Sequence, residues 1–301
     1  MIRSRLNVLA LLIAGMGGSY AAQADAAVTV TITGPGTARA DFALGGTPAV
    51  PQYTGSVFLT FESAMGLTAA NLNIDAQIVN PSDPTFLARL PAGGQVTVPA
   101  GFPVMISVSP PASGGFEFVN AAQVELYTTK LAYTVNSPYR LYKAPTSGMF
   151  SDLTEDVLPG SIRSRCRTGG FSDFIILADN RTPYQAVLDS YAALNAELDD
   201  DGIDPLTRAS LELDIDESFE EFQEGEYGDA RTELDDLELR VDLEAGITID
   251  NRWLAGGALD NDAGYLEGRA ATLDFHLRRL IATGGGGGNA AGLQAPDMGE
   301  G

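Results

Sequence analysis

Phe174-Ile175-Ile176-Leu177-Ala178-Asp179-Asn180-Arg181-Thr182-Pro183-Tyr184-Gln185-Ala186-Val187-Leu188 contains the change on which the fold turns. Its first four residues form a short apolar run of aromatic and β-branched types, which reads as a strand buried on both faces. The period then switches. Thr182 is a good N-cap, Pro183 suits the first helical position because its missing N–H costs nothing there, and Val187, Leu188, Tyr191, Leu194 and Leu198 recur at helical spacing.

Toward the N-terminus the chain consists of short alternating runs. Val28, Val30 and Ile32 alternate with Thr29, Thr31 and Thr33, and similar runs occur at Val57-Leu59-Phe61, Val104-Ile106-Val108, Val124-Leu126 and Leu131-Tyr133-Val135. Turn signals separate them at Gly34-Pro35-Gly36, Pro81-Ser82-Asp83-Pro84, Gly93-Gly94, Pro110-Pro111 and Gly114-Gly115. Many short strands and no long helix predict an antiparallel β-sandwich over residues 27–180. One large sandwich and two smaller subdomains split near residue 111 both fit.

Toward the C-terminus the apolar stripes are helical. Leu211, Ile215, Phe219 and Phe222 stop at Gly225, and Ala230, Leu234, Leu237, Val241 and Ala245 stop at Gly246. After a loop holding Asn251-Arg252-Trp253 comes Leu266, Ala270, Leu273, Leu277 and Leu280. With the first stripe these predict an antiparallel four-helix bundle over residues 182–282, so the fold class is β plus α in two domains. Residues 283–301 are glycine-rich and polar, and read as a disordered tail.

Arg3 and Arg5, the apolar stretch Leu6 to Met16, and Ala22-Gln23-Ala24 or Ala24-Asp25-Ala26 match a secretory signal over residues 1–26, cut near Ala24 or Ala26. The expected destination is the periplasm or the exterior, with cell-surface association through a partner and no integral membrane segment in the mature chain. The net charge of -22 is uneven. Val28–Arg181 carries 11 acidic and 9 basic residues, whereas Thr182–Ile281 carries 26 and 7. Such a surface repels nucleic acid and anionic membranes and leaves cationic partners open.

Tyr139-Arg140-Leu141-Tyr142-Lys143-Ala144, Met149-Phe150-Ser151-Asp152-Leu153-Thr154 and Gly169-Gly170-Phe171-Ser172-Asp173-Phe174 resemble a family of uncharacterised secreted proteobacterial proteins, a domain of unknown function. That resemblance implies an Ig-like β domain ahead of a helical tail. Phe222-Gln223-Glu224-Gly225-Glu226-Tyr227-Gly228-Asp229-Ala230 looks like one tetratricopeptide turn, but no second copy follows. Leu211 to Ala245 is similar instead to the small C-terminal FIMAH-type helical domains, which implies an accessory interaction role.

Catalytic machinery is sparse. His276 is the only histidine, flanked by Phe275 and Leu277, and reads as a surface or boundary residue. Cys166 is the only cysteine, so no disulfide forms within the chain. With one of each, a His/Cys zinc site and Ser-His-Asp or Cys-His catalysis are not expected. Arg163, Arg165 and Arg167 project from one strand face, either as an anion site or as an edge whose arginines pair with the acidic helices. Glu62, Glu117 and Glu125 are candidates for a glycosidase carboxylate pair, and Asp199, Asp201, Asp260 and Asp262 for calcium ligands. No cofactor other than calcium is expected. The reading that fits best is a non-enzymatic module binding a protein or glycan. The alternatives are a carbohydrate-active hydrolase and a structural component of an extracellular assembly.

Overall fold

The computed structural model describes residues 27–47, 49–199, 202–257 and 259–284. The expected signal with Ala24 and Ala26, the residue Asp201, and the tail beyond Gly284 lie outside the described residues.

Strands β1 (Ala27–Gly34), β2 (Thr37–Thr47), β3 (Val50–Thr60) and β4 (Ser63–Met65) come first. A one-turn helix α1 (Ala69–Leu72) precedes β5 (Ile74–Ile78), and another, α2 (Pro84–Leu87), precedes β6 (Val96–Thr97) and β7 (Val104–Val108). Then come β8 (Glu117–Val119), β9 (Ala122–Ala132), β10 (Tyr139–Ala144), β11 (Ser151–Asp152), β12 (Asp156–Leu158), β13 (Ser161–Thr168) and β14 (Asp173–Asp179). The C-terminal part holds α3 (Pro183–Glu197), α4 (Pro205–Glu224), α5 (Tyr227–Glu244), β15 (Arg252–Leu254) and α6 (Asp262–Ala282). The described chain is thus a mixed β plus α fold of antiparallel sheets with most of its helix at the C-terminal end.

One sheet has the order β1-β2-β3-β9-β13-β12, and a second runs β11-β10-β14-β7-β5 with β6 also on β14. The largest core lies between them, joining Val57, Leu59, Val124, Leu126 and Ile162 of the first to Val104, Ile106, Leu141, Phe174 and Ile176 of the second. Strand β14 is buried on both faces, as its composition requires. Phe174 and Ile176 point into this core, while Ile175 and Leu177 point into another made with Phe86, Leu90, Val96 and Phe150.

The helical starts follow their caps. Thr182 accepts a hydrogen bond from the Gln185 amide and Asp204 from that of Leu206, each just before a proline. Gly225 closes α4 at φ 88°, in the left-handed region that only glycine enters at no steric cost.

Three expectations about strands are corrected. Leu131-Tyr133-Val135 is no separate strand, since β9 ends at Ala132 and Val135 is 82% exposed in the turn after it. Strand β13 is not an edge but lies between β9 and β12. Asn251-Arg252-Trp253 is not all loop, because β15 pairs with β8 in a three-stranded sheet with β4. Its Trp253 packs against Phe118 and Phe116 of the β part, centroids 5.3 and 6.0 Å apart.

Helix α6 departs furthest from its pattern. Leu266, Leu273 and Leu277 bury one side among α3 to α5, contributing about 2 kcal/mol apiece. The opposite side, read as solvent-facing, is buried too: Gly264, Glu267, Gly268, Ala271, Thr272, Phe275 and His276. The reason is size, because small residues let the helix touch β-sheet backbone. A Cβ on Gly268 would strike the Arg167 carbonyl, and one on Gly264 would lie 2.8 Å from the Gly169 Cα. Both β15 and α6 therefore cross the expected boundary at residue 182. Among the described residues no helix is long and apolar enough to cross a membrane.

Candidate functional site

The chemistry-bearing side chains collect where α6 meets the outer face of the second sheet. Asp152 leaves β11 and accepts hydrogen bonds on Oδ1 from the Thr154 amide (2.9 Å) and hydroxyl (2.6 Å). Its Oδ2 is 3.0 Å from His276 Nε2 and 3.4 Å from Arg181 Nη2. Arg181 also holds Asp179 at 2.6 Å and Asp189 at 2.7 Å and donates to the Tyr142 hydroxyl at 3.0 Å. That hydroxyl in turn donates to Asp179. A cavity of about 220 Å³ opens beside the cluster, lined among others by Ser151, Asp152, Arg181, Asp189 and Arg269.

Burial and charge set the protonation states here. Burial pushes the Asp152 carboxyl up, but the hydrogen bond and charge of His276 and the charge of Arg181 outweigh it, so the group stays below the usual carboxylate range. Burial lowers His276, with the nearby Arg140 and Arg181 adding to the effect against Asp152. Burial also drives the Tyr142 phenol up, reinforced by Asp152 and Asp179. Arg140 is 1% exposed and drops to about 10, first from burial and then from the charge of Arg279. Its Nη1 donates to the Ser137 and Tyr139 carbonyls, while Nε and Nη2 have no partner among the described residues.

This arrangement holds charge and offers little reactivity. The partners that hold the Asp152 carboxyl below its ordinary range favour its ionised form, and Arg181 bonds both Asp152 and Asp189. His276 Nδ1 has no hydrogen-bond partner among the described residues. What the cluster does is fasten α6 to the sheet. Of the surface and boundary readings of His276, the surface one is corrected: the residue is fully buried where α6 meets the β part. Sequence reading missed Tyr142, Asp152, Asp179 and Arg181: Asp179 and Arg181 are two positions apart, but only the tertiary fold brings that pair to Tyr142, Asp152 and His276.

The other sequence candidates are dispersed. Glu125 on β9 takes Arg163 at 3.0 Å and Arg165 at 2.9 Å, one on each oxygen, so both arginines pair within their own sheet. Only Arg167 reaches the helices, with Glu238 at 3.4 Å and also Glu155 at 3.3 Å. Glu117 pairs with Arg252, and Glu62 accepts from Asn120. None of the three glutamates lines the cavity. Cys166 is fully buried, and burial raises its thiol pKa well above the ordinary value. Asp199 and Asp260 are exposed, whereas Asp262 is buried at the start of α6 and converges with Asp250 on Gly202. Among the described residues no group of three or more His, Cys, Asp or Glu side chains is placed to hold a metal ion.

A second feature lies on the outer face of α4 and α5. The two helices are antiparallel, tied by Thr207 to Thr248 at 2.9 Å, Arg240 to Asp214 at 2.6 Å and Ser218 to the Ala230 carbonyl at 2.8 Å. Leu211, Ile215 and Phe222 of α4 and Leu234, Leu237 and Val241 of α5 face the core. Leu213 falls two positions from both Leu211 and Ile215, which turns it to solvent, and Leu206 sits two turns earlier on the same line. Leu239 and Leu243 form the matching line on α5, and Ile247 is exposed in the turn after the helix ends at Glu244. Exposures run from 56% for Leu213 and Leu239 through 66% and 77% for Leu243 and Ile247 to 82% for Leu206. The register sets Leu206 level with Ile247 and Leu213 level with Leu239.

Acid surrounds this apolar face. From Pro205 to Glu244 there are fifteen carboxylates and three arginines, and Arg231 and Arg240 are already paired with Asp274 and Asp214. Burial and then the neighbouring charges of Glu217 and Asp236 raise Glu233, while Asp229 and Glu224 act similarly on Glu221.

No curated protein and no solved structure matches this chain. One family model does, over residues 10–281, spanning both the strand-rich part and the helices through nearly all of α6. The chain accordingly belongs to the family of unknown function DUF6689.

Proposed function

We propose that this is an exported, non-enzymatic interaction protein that recognises a partner through the outer face of α4 and α5. The observation that carries the reading is the aliphatic face there: Leu206, Leu213, Leu239 and Leu243, each more than half exposed, on two adjacent helices, with exposed Ile247 in the turn that follows α5. Isolated exposed leucines are ordinary, but an aligned, acid-rimmed group marks an interaction surface. The signal expected at residues 1–26, with cleavage near Ala24 or Ala26, and the resemblance to secreted proteobacterial proteins support export. We read the facing sheets as an Ig-like sandwich, and α3 to α6 as a helical bundle akin to FIMAH-type domains, whose accessory interaction role agrees with this function. The dispersal of Glu62, Glu117 and Glu125 argues against the hydrolase alternative.

Size-exclusion chromatography of the native protein in its own exported fraction tests this. The wild-type chain is expected in a complex larger than the monomer, and L239D/L243D is expected at the monomer position. A wild-type chain eluting as monomer, or a complex indifferent to the substitutions, overturns the reading.

A further inference from the structure

We infer that the partner bound by the α4–α5 face is a cationic amphipathic helix of another protein. This rests on the reading of that face as the recognition surface and adds the chemistry of what it recognises.

Shape and charge carry the argument together. Two helices packed side by side leave a shallow groove between their outward ridges. Here one ridge presents Leu206 and Leu213 and the other Leu239 and Leu243, all exposed, with exposed Ile247 in the turn past the end of α5. A third helix laid along such a groove meets apolar residues at i, i+3, i+4 and i+7, the helix-in-groove mode of recognition. The surrounding field selects the sign of the occupant. Exposed Asp216, Glu217 and Glu220 continue the α4 ridge beyond Leu213, and exposed Asp235 and Asp236 stand one turn from Leu239. The basic groups Arg231 and Arg240 are spent on internal pairs, Arg240 to Asp214 at 2.6 Å and Arg231 to Asp274 at 2.6 Å. Glu221 and Glu233 are raised by burial and then by neighbouring carboxylates, and that second part is relieved when lysines and arginines arrive.

The same field argues against other occupants. A second copy would bring a like-charged face against this one, and an anionic bilayer or nucleic acid would be repelled. A helix with one apolar stripe and basic flanks satisfies both the leucines and the carboxylates.

The test is titration of the purified chain, at low and moderate salt, with three synthetic peptides: a Leu/Lys peptide with leucines at helical spacing, the same composition scrambled to abolish the stripe, and a Leu/Glu peptide with the original spacing. The Leu/Lys helix is expected to bind, with the scrambled peptide at least tenfold weaker, no binding of the Leu/Glu peptide, and affinity falling as salt rises. L239D/L243D is expected to lose at least tenfold. Both positions are solvent-facing, so circular dichroism and melting of that variant verify that the fold is kept. Equal binding of the ordered and scrambled peptides overturns the inference, since charge alone would then suffice. Equal binding by L239D/L243D overturns it as well, as does a wild-type dimer in sedimentation that the two aspartates dissociate. If the Leu/Lys helix fails to bind while L239D/L243D still dissolves the complex of the exported fraction, the partner class is wrong and the recognition face stands.

Discussion

At the scale of single residues, the account distinguishes buried charges that are matched from those that are not. Asp152 is matched by His276, Arg181 and Thr154, so Asp152→Asn leaves buried cationic and polar groups without their anion and is expected to cost about 3 kcal/mol in urea unfolding. Arg140 is equally buried, but two of its nitrogens have no partner among the described residues. Arg140→Met removes the desolvated charge, but also the guanidinium that lies over Phe275 and bonds the Ser137 and Tyr139 carbonyls, so the unfolding midpoint is expected to stay near level. A large loss in that variant would show the guanidinium to be a needed counter-charge. Cys166 is expected to resist thiol reagents in the folded chain and react fully in denaturant, because burial both hides the sulfur and disfavours the thiolate. Little of this was legible in the sequence. Tyr142 and Asp152 are register partners on neighbouring strands, but Asp152 and His276 meet across 124 positions of chain, and only the tertiary fold brings them together.

At the scale of elements, the helices were legible and the surroundings of the last one were not. The Leu266-Ala270-Leu273-Leu277-Leu280 stripe correctly marked one face of α6, but periodicity cannot tell that Gly264 and Gly268 on the other face are spaces for sheet backbone rather than neutral filler. Strand β15 escaped notice because three residues are too few to show alternation. Substituting Gly268→Leu should push α6 off β13, costing more than about 2 kcal/mol and shifting the emission of Trp253, the only tryptophan. The buried Glu267 on α6 makes the same interface sensitive to pH. Burial, with Asp242 and Glu238 adding, lifts its carboxyl to about 7, against Arg167. Between its ordinary value and about 7 the folded chain therefore holds a proton that the unfolded chain has lost. Stability from this group is full below that window and falls as pH climbs through it, by on the order of 2 kcal/mol. Denaturation across pH 4.5 to 7 should show this slope in the wild type and a flatter one in Glu267→Gln; equal slopes would remove Glu267 as the cause.

At the scale of the whole molecule, the order of strands before helices was readable from the change of period at Thr182-Pro183, while the joining of the two parts was not. Because β15 completes a sheet with β8 and α6 packs on β13, residues 27–181 expressed alone should lack a cooperative thermal transition, and the complete chain should unfold in one step. A rigidly joined body leaves α4 and α5 on the outside, with their core side committed and their leucines free for another protein. The claim that recognition happens there is tested most directly by a photo-crosslinking residue placed at Leu243 in the producing cell, with Met149, a comparably exposed apolar residue on the β part, as the control position. The account predicts a discrete adduct with a basic protein from position 243 and none from 149. An adduct from 149 alone, or none from 243, would contradict it.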